Sequence, residues 1–485
     1  MVARLIVISN RVAVPESASE FSAGGLAVAV QAALSGRDGI WFGWSGRVTE
    51  EPDHEPTIRK VGGTTYIVLD LAPGDFNEYY NGFANRFLWP ILHYRLDLAE
   101  FSRSDLSGYQ KVNNYFADHL SRILKPDDIV WVHDYHLMPL ARLLRERGHQ
   151  NRIGFFLHVP CPPPDILTAL PKHREIIGSL VAFDLIGLQT ENDCENLSRY
   201  LLRMGARRAP DAYHLEANGR RVTLGAFPVG IETARFERTA RRAAATALIK
   251  ETAESLAGRA MVMSVDRLDY SKGLPNRMAA IERFLSMYPE WRGRVTFLQI
   301  APKTRSEIQE YAEIDRQVST LAGQINGLHG DVTWTPIRYV NRVYSRAALA
   351  GLYRLAKVGL VTPLRDGMNL VAKEYVAAQN PLDPGVLVLS QFAGAAAELD
   401  GALIVNPHEP EAVAAAIRFA LEMPLDARQA RHQRMMEVLR RNDIHAWASK
   451  YLATLEQTRP TPATISATAA ARHLPPGSIA ASASR

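Results

Sequence analysis

Cysteine is almost missing from this chain: only Cys161 and Cys194 occur in 485 residues. The pair shows no metal-ligand spacing and cannot form a framework of bridges. A reducing cytoplasm therefore fits. Long apolar runs are missing too, and none approaches membrane-spanning length, so no membrane partner is expected. The run after Met1-Val2-Ala3-Arg4 ends at Ser9-Asn10-Arg11, too short for the core of a signal peptide. A block of Lys and Arg is also absent. The formal net charge is +5, but Arg459, Arg472 and Arg485 sit in an acid-free stretch after Glu456. Without those three charges the rest of the chain carries +2, so no nucleic-acid partner is expected. Three motifs are missing as well: a G-x-x-x-x-G-K-[ST] loop, a complete dinucleotide fingerprint after the first strand, and a G-x-S-x-G elbow. Their absence argues against a P-loop NTPase, a dehydrogenase and a hydrolase of the elbow type.

What is present is the make-up of a globular α/β protein. The chain is 47% hydrophobic and 22% charged, and its length implies two domains. Short apolar runs alternate with helical patterns. Leu5–Ile8, Thr65–Leu71, Asp128–Val132, Ile153–Leu157 and Leu185–Leu188 are predicted strands. Helical stretches such as 108–124, 136–147 and 191–204 lie between them. An Ala- and Arg-rich helical stretch over 233–257 interrupts the rhythm. A second series follows, with strands predicted at Met261–Val265, Val295–Ile300, Val332–Thr335, Val358–Val361, Val386–Leu389 and Leu403–Val405. Continuous apolar strands alternating with helices imply parallel sheets covered on both faces. The division expected is 1–232, 233–455, and an Ala/Ser/Pro tail over 456–485. The tail has too little apolar surface to offset its ordering entropy. The last helix, near 426–455, is expected to pack back on the first domain.

Ligands of open α/β sheets bind beyond the carboxyl ends of the strands. The residues that follow each strand are therefore the informative ones. Ala23-Gly24-Gly25 precedes a helical run and suits an anion or a plain turn. Asp134, in Trp131-Val132-His133-Asp134-Tyr135-His136, suits either sugar hydroxyls or a helix cap. His133 and His136 lack a third metal ligand nearby. His158 ends the strand 153–157. Arg267 and Lys272 follow the strand 261–265 and can converge on one diphosphate, Arg as a fork and Lys as a point charge. Arg305 lies beyond the next strand and suits a second phosphate. In Pro363–Glu374 a tight turn at Gly367 leads into a helix. The N–H groups of Met368, Asn369 and Leu370 are free at such a start. Glu374 sits a turn further in, where an acid can take two ribose hydroxyls.

Together these segments resemble the trehalose-6-phosphate synthases of retaining glycosyltransferase family 20. The residues that carry the resemblance are Ser9-Asn10-Arg11, Ala23-Gly24-Gly25-Leu26, Trp41-Phe42-Gly43-Trp44, Glu78-Tyr79-Tyr80-Asn81, His133–His136, Arg267–Gly273 and Leu364–Glu374, collinear from about residue 4 to 455. The resemblance implies a GT-B architecture, two Rossmann-like doubly wound domains facing across a cleft. It implies transfer of glucose from a nucleotide sugar, usually UDP-glucose, to glucose 6-phosphate with retention. Arg11 and Arg305 would hold the acceptor phosphate, and Tyr80, Trp89 and Asp134 the acceptor sugar. Gly24 and Gly25 would approach the donor. His158 and Asp366 would bind the donor glucose, and Arg267 and Lys272 would neutralise the diphosphate. Tyr344 would lie near the uracil. Leu370 and Val371 would act through backbone groups, within a donor segment running from Gly367 through Ala372 and Lys373 to Glu374. No cofactor or metal is implied, because Arg and Lys take the cation's part. The departing phosphate itself accepts the hydroxyl proton, and no side chain acts as a covalent nucleophile. A homo-oligomer, dimer or tetramer, is compatible with the family.

The departures are few. Cys161-Pro162-Pro163-Pro164 replaces a more usual aromatic-containing loop, and no D-x-D-x-[TV] phosphatase signature follows the synthase-like region. Two other readings stand beside the first. A glucosylglycerol-phosphate synthase would change the acceptor pocket at Tyr80, Trp89 and Asp134. A non-catalytic regulatory homologue would lose charged residues, yet Arg11, Arg267, Lys272, Arg305, Asp366 and Glu374 are all present. The residues leave open the choice among UDP, ADP and GDP.

Overall fold

The computed structural model describes residues 3–15, 25–34, 39–53, 55–209, 214–217, 219–303 and 309–458. The tail beyond 458 lies outside the described residues. Strands form where apolar β-branched and aromatic residues run together. The segment Leu5–Arg11 (β1) is buried along its length until Arg11. After it come Gly39–Val48 (β2), Thr57–Val61 (β3), Thr64–Leu71 (β4), Ile129–His133 (β5), Arg152–Phe156 (β6), Leu185–Leu188 (β7), Arg207–Arg208 (β8), His214–Ala217 (β9) and Arg220–Ala226 (β10). They make one sheet in the order β3-β4-β2-β1-β5-β6-β7-β10-β9-β8. Its centre, β4 to β10, is parallel, and β3, β9 and β8 extend the edges antiparallel.

The second series supplies Ala260–Val265 (β11), Val295–Ile300 (β12), Ile337–Val340 (β13), Val358–Val361 (β14), Val386–Ser390 (β15) and Leu403–Val405 (β16). All six pair parallel, in the order β13-β12-β11-β14-β15-β16. This is the doubly wound 3-2-1-4-5-6 order, which reverses between β11 and β14. The parallel part of the first sheet reverses in the same way between β1 and β5. Two doubly wound α/β sheets in one chain are the GT-B architecture.

One expected strand is wrong. Residues 332–335 form a turn, and β13 starts at Ile337 instead. The Asp331 carboxylate accepts from Thr333 N and Thr333 Oγ1, each at 2.7 Å, and Val332 is fully exposed. This local capping competes with ladder pairing. Pro336 then has no N–H to give a ladder, so pairing begins after it. The helical stretch 233–257 is two helices, Thr233–Ala243 and Ala247–Leu256. The last stretch is also two, Leu425–Arg441 and Ile444–Gln457, because Asp443 restarts the helix by accepting from Ala446 N at 2.8 Å. Phe76–Leu88, which carries Tyr80, is a π-helix.

The helix Ile444–Gln457 lies on the first sheet. Tyr451 OH donates to Phe155 O at 3.0 Å, and Trp447 Nε1 donates to Phe227 O at 3.1 Å. The Tyr451 ring stacks on Trp131 at 4.4 Å. It occupies the space left by Gly154 on β6 and Gly187 on β7, where any Cβ would meet it at 2.4 and 2.6 Å. The chain thus closes on the sheet it began with. Among the described residues no helix is long and apolar enough to cross a membrane.

Candidate active site

Both sheet reversals point their strand ends at one cavity. Asp134 follows β5, and His158 lies just past β6. Arg267 follows β11, and Asp366 to Val371 follow β14. Asp134, His158, Arg267, Lys272, Asp366, Met368, Asn369, Leu370 and Val371 line a cavity of 330 Å³, and Gln189, Val229, Val265 and Asp266 complete it. Side chains from both sheets therefore share one space.

Asp134 is held in a conformation few non-glycine residues adopt, with φ +75°. Its N–H donates to Phe156 O at 2.8 Å, and its Oδ1 accepts from His158 N at 3.3 Å. The β5 and β6 ends are thereby tied together. Behind them, His133 Nδ1 and His158 Nε2 lie 3.0 Å apart in one hydrogen bond. Burial pushes His158 down to about 3, and it lowers His133 well below the ordinary value. Both rings are neutral at pH 7, so one donates and the other accepts.

On the facing wall, Lys272 Nζ bonds to Asp366 Oδ2. Asn369 Nδ2 donates to the same oxygen at 3.0 Å. Burial opposes charge on Asp366, but Lys272 and these hydrogen bonds hold its carboxyl below the usual range. Asn369 has φ +80°, and its Oδ1 accepts from Ala372 N at 3.0 Å, capping the helix Leu370–Ala378. The N–H groups of Leu370 and Val371 remain at a helix start that offers them no intrahelical acceptor. Arg267 is half-exposed, 5.7 Å above the Trp89 ring.

Beneath this wall is a buried cation that the sequence did not single out. Arg277 is 1% exposed. It donates to Asp266 Oδ2 at 2.7 Å, Gln299 Oε1 at 3.0 Å, Thr362 Oγ1 at 3.0 Å and Lys272 O at 3.3 Å. The ends of β11, β12 and β14 and the Lys272 turn are fastened to one guanidinium.

The remaining expected residues are spread around the cavity. Tyr80 stacks between Phe76 at 5.4 Å and His136 at 5.9 Å, so it reaches the Asp134 segment through a ring. Trp89 packs on His93 at 4.1 Å. Arg11 ends β1. Tyr344 is half-buried beside the helix Arg346–Leu355. Glu374 sits one turn into the helix, 3.4 Å from Arg346, which also reaches Glu232 at 3.5 Å. Burial raises the Glu374 carboxyl against that pairing. Ala372 and Lys373 do not line the cavity. The Ala372 N–H is taken by Asn369, and the Lys373 ammonium turns away to Val229 O at 2.8 Å and to Glu398. Gly25 opens the helix Gly25–Leu34. Gly24 and Arg305 lie outside the described residues.

Gln189 was missed, although it obeys the same strand-end rule, following β7 directly. Its Oε1 accepts from Val229 N at 3.1 Å, and its Nε2 donates to His158 O at 3.4 Å. The Cys161 loop keeps firm local partners. Cys161 N donates to Asp193 Oδ1 at 2.9 Å, and Cys161 O accepts from Asn196 Nδ2 at 2.9 Å. Among the described residues no three His, Cys, Asp or Glu side chains converge as a metal set.

Two doubly wound sheets, with paired cations and a helix start facing carboxylate and imidazole across one cavity, define a GT-B glycosyltransferase. The sequence profile of glycosyltransferase family 20 matches residues 4–457. A trehalose-6-phosphate synthase of Sinorhizobium fredii is 52% identical over 454 residues, 93% of this chain and 98% of its own. A UDP-forming α,α-trehalose-phosphate synthase from Burkholderia xenovorans, solved in complex with glucose 6-phosphate, superposes with a TM-score of 0.89 at 46% identity, covering 93% of this chain and 100% of its own. The Escherichia coli protein solved with UDP-2-fluoro glucose gives a TM-score of 0.90 at 46% identity, covering 94% and 100%. The chain belongs to glycosyltransferase family 20.

Proposed function

We propose that this chain transfers glucose from UDP-glucose to glucose 6-phosphate, with retention, giving α,α-trehalose 6-phosphate and UDP. The observation that carries the reading is the shared cavity. The Lys272–Asp366 pair and the Leu370–Val371 N–H groups face Asp134 and His158 across 330 Å³. The similarity to trehalose-6-phosphate synthases along nearly the whole chain supports it.

In this reading the residues before 233 hold the acceptor and those from 233 to 455 hold the donor. Arg267 and Lys272 take up the charge that develops on the leaving diphosphate, aided by the helix start at Leu370. Asp366 and His158 hold the donor glucose, and Glu374 the ribose. Arg11 and Arg305 bind the acceptor phosphate, with Tyr80, Trp89 and Asp134 against its sugar. The hydroxyl attacks on the face from which UDP departs, and the departing phosphate accepts the proton. Rate then comes from positioning and from charge stabilisation, with no cofactor and no metal.

The test is a product assay on the purified protein. Several nucleotide-glucoses are crossed with glucose 6-phosphate and glycerol 3-phosphate, with and without a chelator. Trehalose 6-phosphate from UDP-glucose, undiminished by the chelator, is the expected result. Glucosylglycerol phosphate as main product would refute the acceptor, and no turnover with any pair would make the chain non-catalytic.

A further inference from the structure

At the amino end of the second sheet, away from the catalytic cavity, lies a space of 610 Å³. It opens between β12, β13 and the helix Gln309–His329. The helix contributes Ala322, with only a methyl group, and Gly323, with no side chain, and so leaves the room. A Cβ added at Gly323 would meet nothing within 4 Å. The volume falls in the range of small-molecule sites, roughly 300–1,000 Å³.

Two arginines line this space and, among the described residues, no carboxylate does. Arg259 donates to the carbonyls of Gly293, Leu256 and Thr333, at 3.2, 3.3 and 3.3 Å. Arg338 donates to Ser255 Oγ at 2.7 Å and Ser255 O at 2.9 Å. Both cations are thus oriented by neutral groups. Asp331 feels the charge of Arg259, but its carboxylate lies in solvent and is engaged by Thr333. Burial and the charge of Arg259 both lower the affinity of Arg338 for its proton. At the wall, Thr296 is 1% exposed, and its hydroxyl has no hydrogen-bond partner among the described residues.

We propose that this hollow is a second binding site, for a sugar phosphate, separate from the catalytic cavity. Two guanidiniums with no carboxylate beside them in the lining suit a phosphate dianion. Ser319 and Thr335, both exposed on the lining, add hydroxyl groups suited to a polyol. The strands that wall the site lead toward the catalytic face: β12 runs into 301–303, and β13 into 341–344.

The test is equilibrium dialysis of the whole chain with labelled glucose 6-phosphate, counting equivalents bound at saturation. The double variant Arg259→Gln/Arg338→Gln is expected to bind one equivalent fewer than the parent. Gly323→Leu, which fills the space without touching either arginine and favours the helix, is expected to lose the same equivalent. It keeps the test valid if the double variant fails to fold. Equal counts in the parent and Gly323→Leu would overturn the proposal. Parallel arms use inorganic phosphate and UDP as competitors. Displacement of that equivalent by either at lower concentration than by unlabelled glucose 6-phosphate would overturn the sugar-phosphate class.

Discussion

Lys272 and Asp366 are a coupled pair in which each partner justifies the burial of the other. Removing the ammonium leaves a carboxylate without its main compensation and withdraws positive charge from the leaving diphosphate. Lys272→Ala is therefore expected to lower kcat/KM for UDP-glucose on the order of 10²–10³-fold, as loss of one charge-stabilising donor does elsewhere. The KM for glucose 6-phosphate should change far less. Steady-state kinetics with each substrate varied separates the two, and an unchanged donor term would remove Lys272 from its role. The paired histidines carry a different signature. His158 is pushed down to about 3 in the folded chain, whereas an unfolded histidine titrates near 6.5. The folded state therefore binds fewer protons between those values. This contribution to stability is present in full above pH 6.5 and is lost as pH falls from there toward 3. Each pH unit in that window costs up to ~1.4 kcal/mol per such histidine. Urea midpoints measured from pH 7.5 to 5 should fall, and should fall less steeply in His158→Asn. Parallel slopes would show that the pair is not the titrating element.

At the scale of elements, the helix Leu370–Ala378 matters for its first turn. Asn369 does two jobs there: it adopts φ +80°, which Asn tolerates better than most residues, and it caps Ala372 N. Asn369→Ala is expected to cost about 1 kcal/mol for the cap, with strain added. Asn369→Gly keeps the backbone conformation and loses only the cap and the Asp366 contact. In chemical denaturation the Gly variant should be the more stable of the two, while both raise the KM for UDP-glucose. The reverse order of stability would show that backbone conformation is not limiting. Element existence was largely legible in the sequence, because buried parallel strands are continuous apolar runs. Residues 332–335 were misread because Val and Trp beside Thr look like a strand, while Asp331 and Pro336 decide against it through local hydrogen bonding. The π-helix Phe76–Leu88 left no signal that a 3.6-residue period would reveal.

For the whole molecule, the decisive contact is a bare one. A Cβ on Gly367 would lie 2.2 Å from His158 O, so the turn after β14 rests on the backbone beyond β6. The two sheets meet there only because that position lacks a side chain. Gly367→Ala should hold the walls apart by the width of a methyl group. The expected outcome is a fall of at least about tenfold in kcat/KM, as displacement by an ångström costs up to 10². The melting temperature should change far less than kcat/KM, because the clash falls on one turn while the apolar cluster that spans both sheets stays in place. A fully active Ala variant would show that this approach is not needed for turnover. Lys373 adds a second tie, since its buried ammonium joins the helix Leu370–Ala378 to Val229 O and Glu398.

By itself the sequence determined the class of fold, the family, and most of the charged groups around the cavity. Those facts are local: an apolar run makes a strand, a strand end carries a ligand residue, and a glycine before a helix frees N–H groups. What only the tertiary structure decided was convergence. Lys373 reads as part of the donor segment, yet its side chain turns away, because helical geometry points successive residues in different directions. Arg277 reads as an ordinary helix charge, yet it fastens three strand ends from positions 266, 299 and 362. Gln189 and Asp134 reach one cavity with Lys272 and Asp366 only because both sheets reverse their winding toward it. Spacing along the chain carries no record of such contacts, since sheet order and domain approach set them.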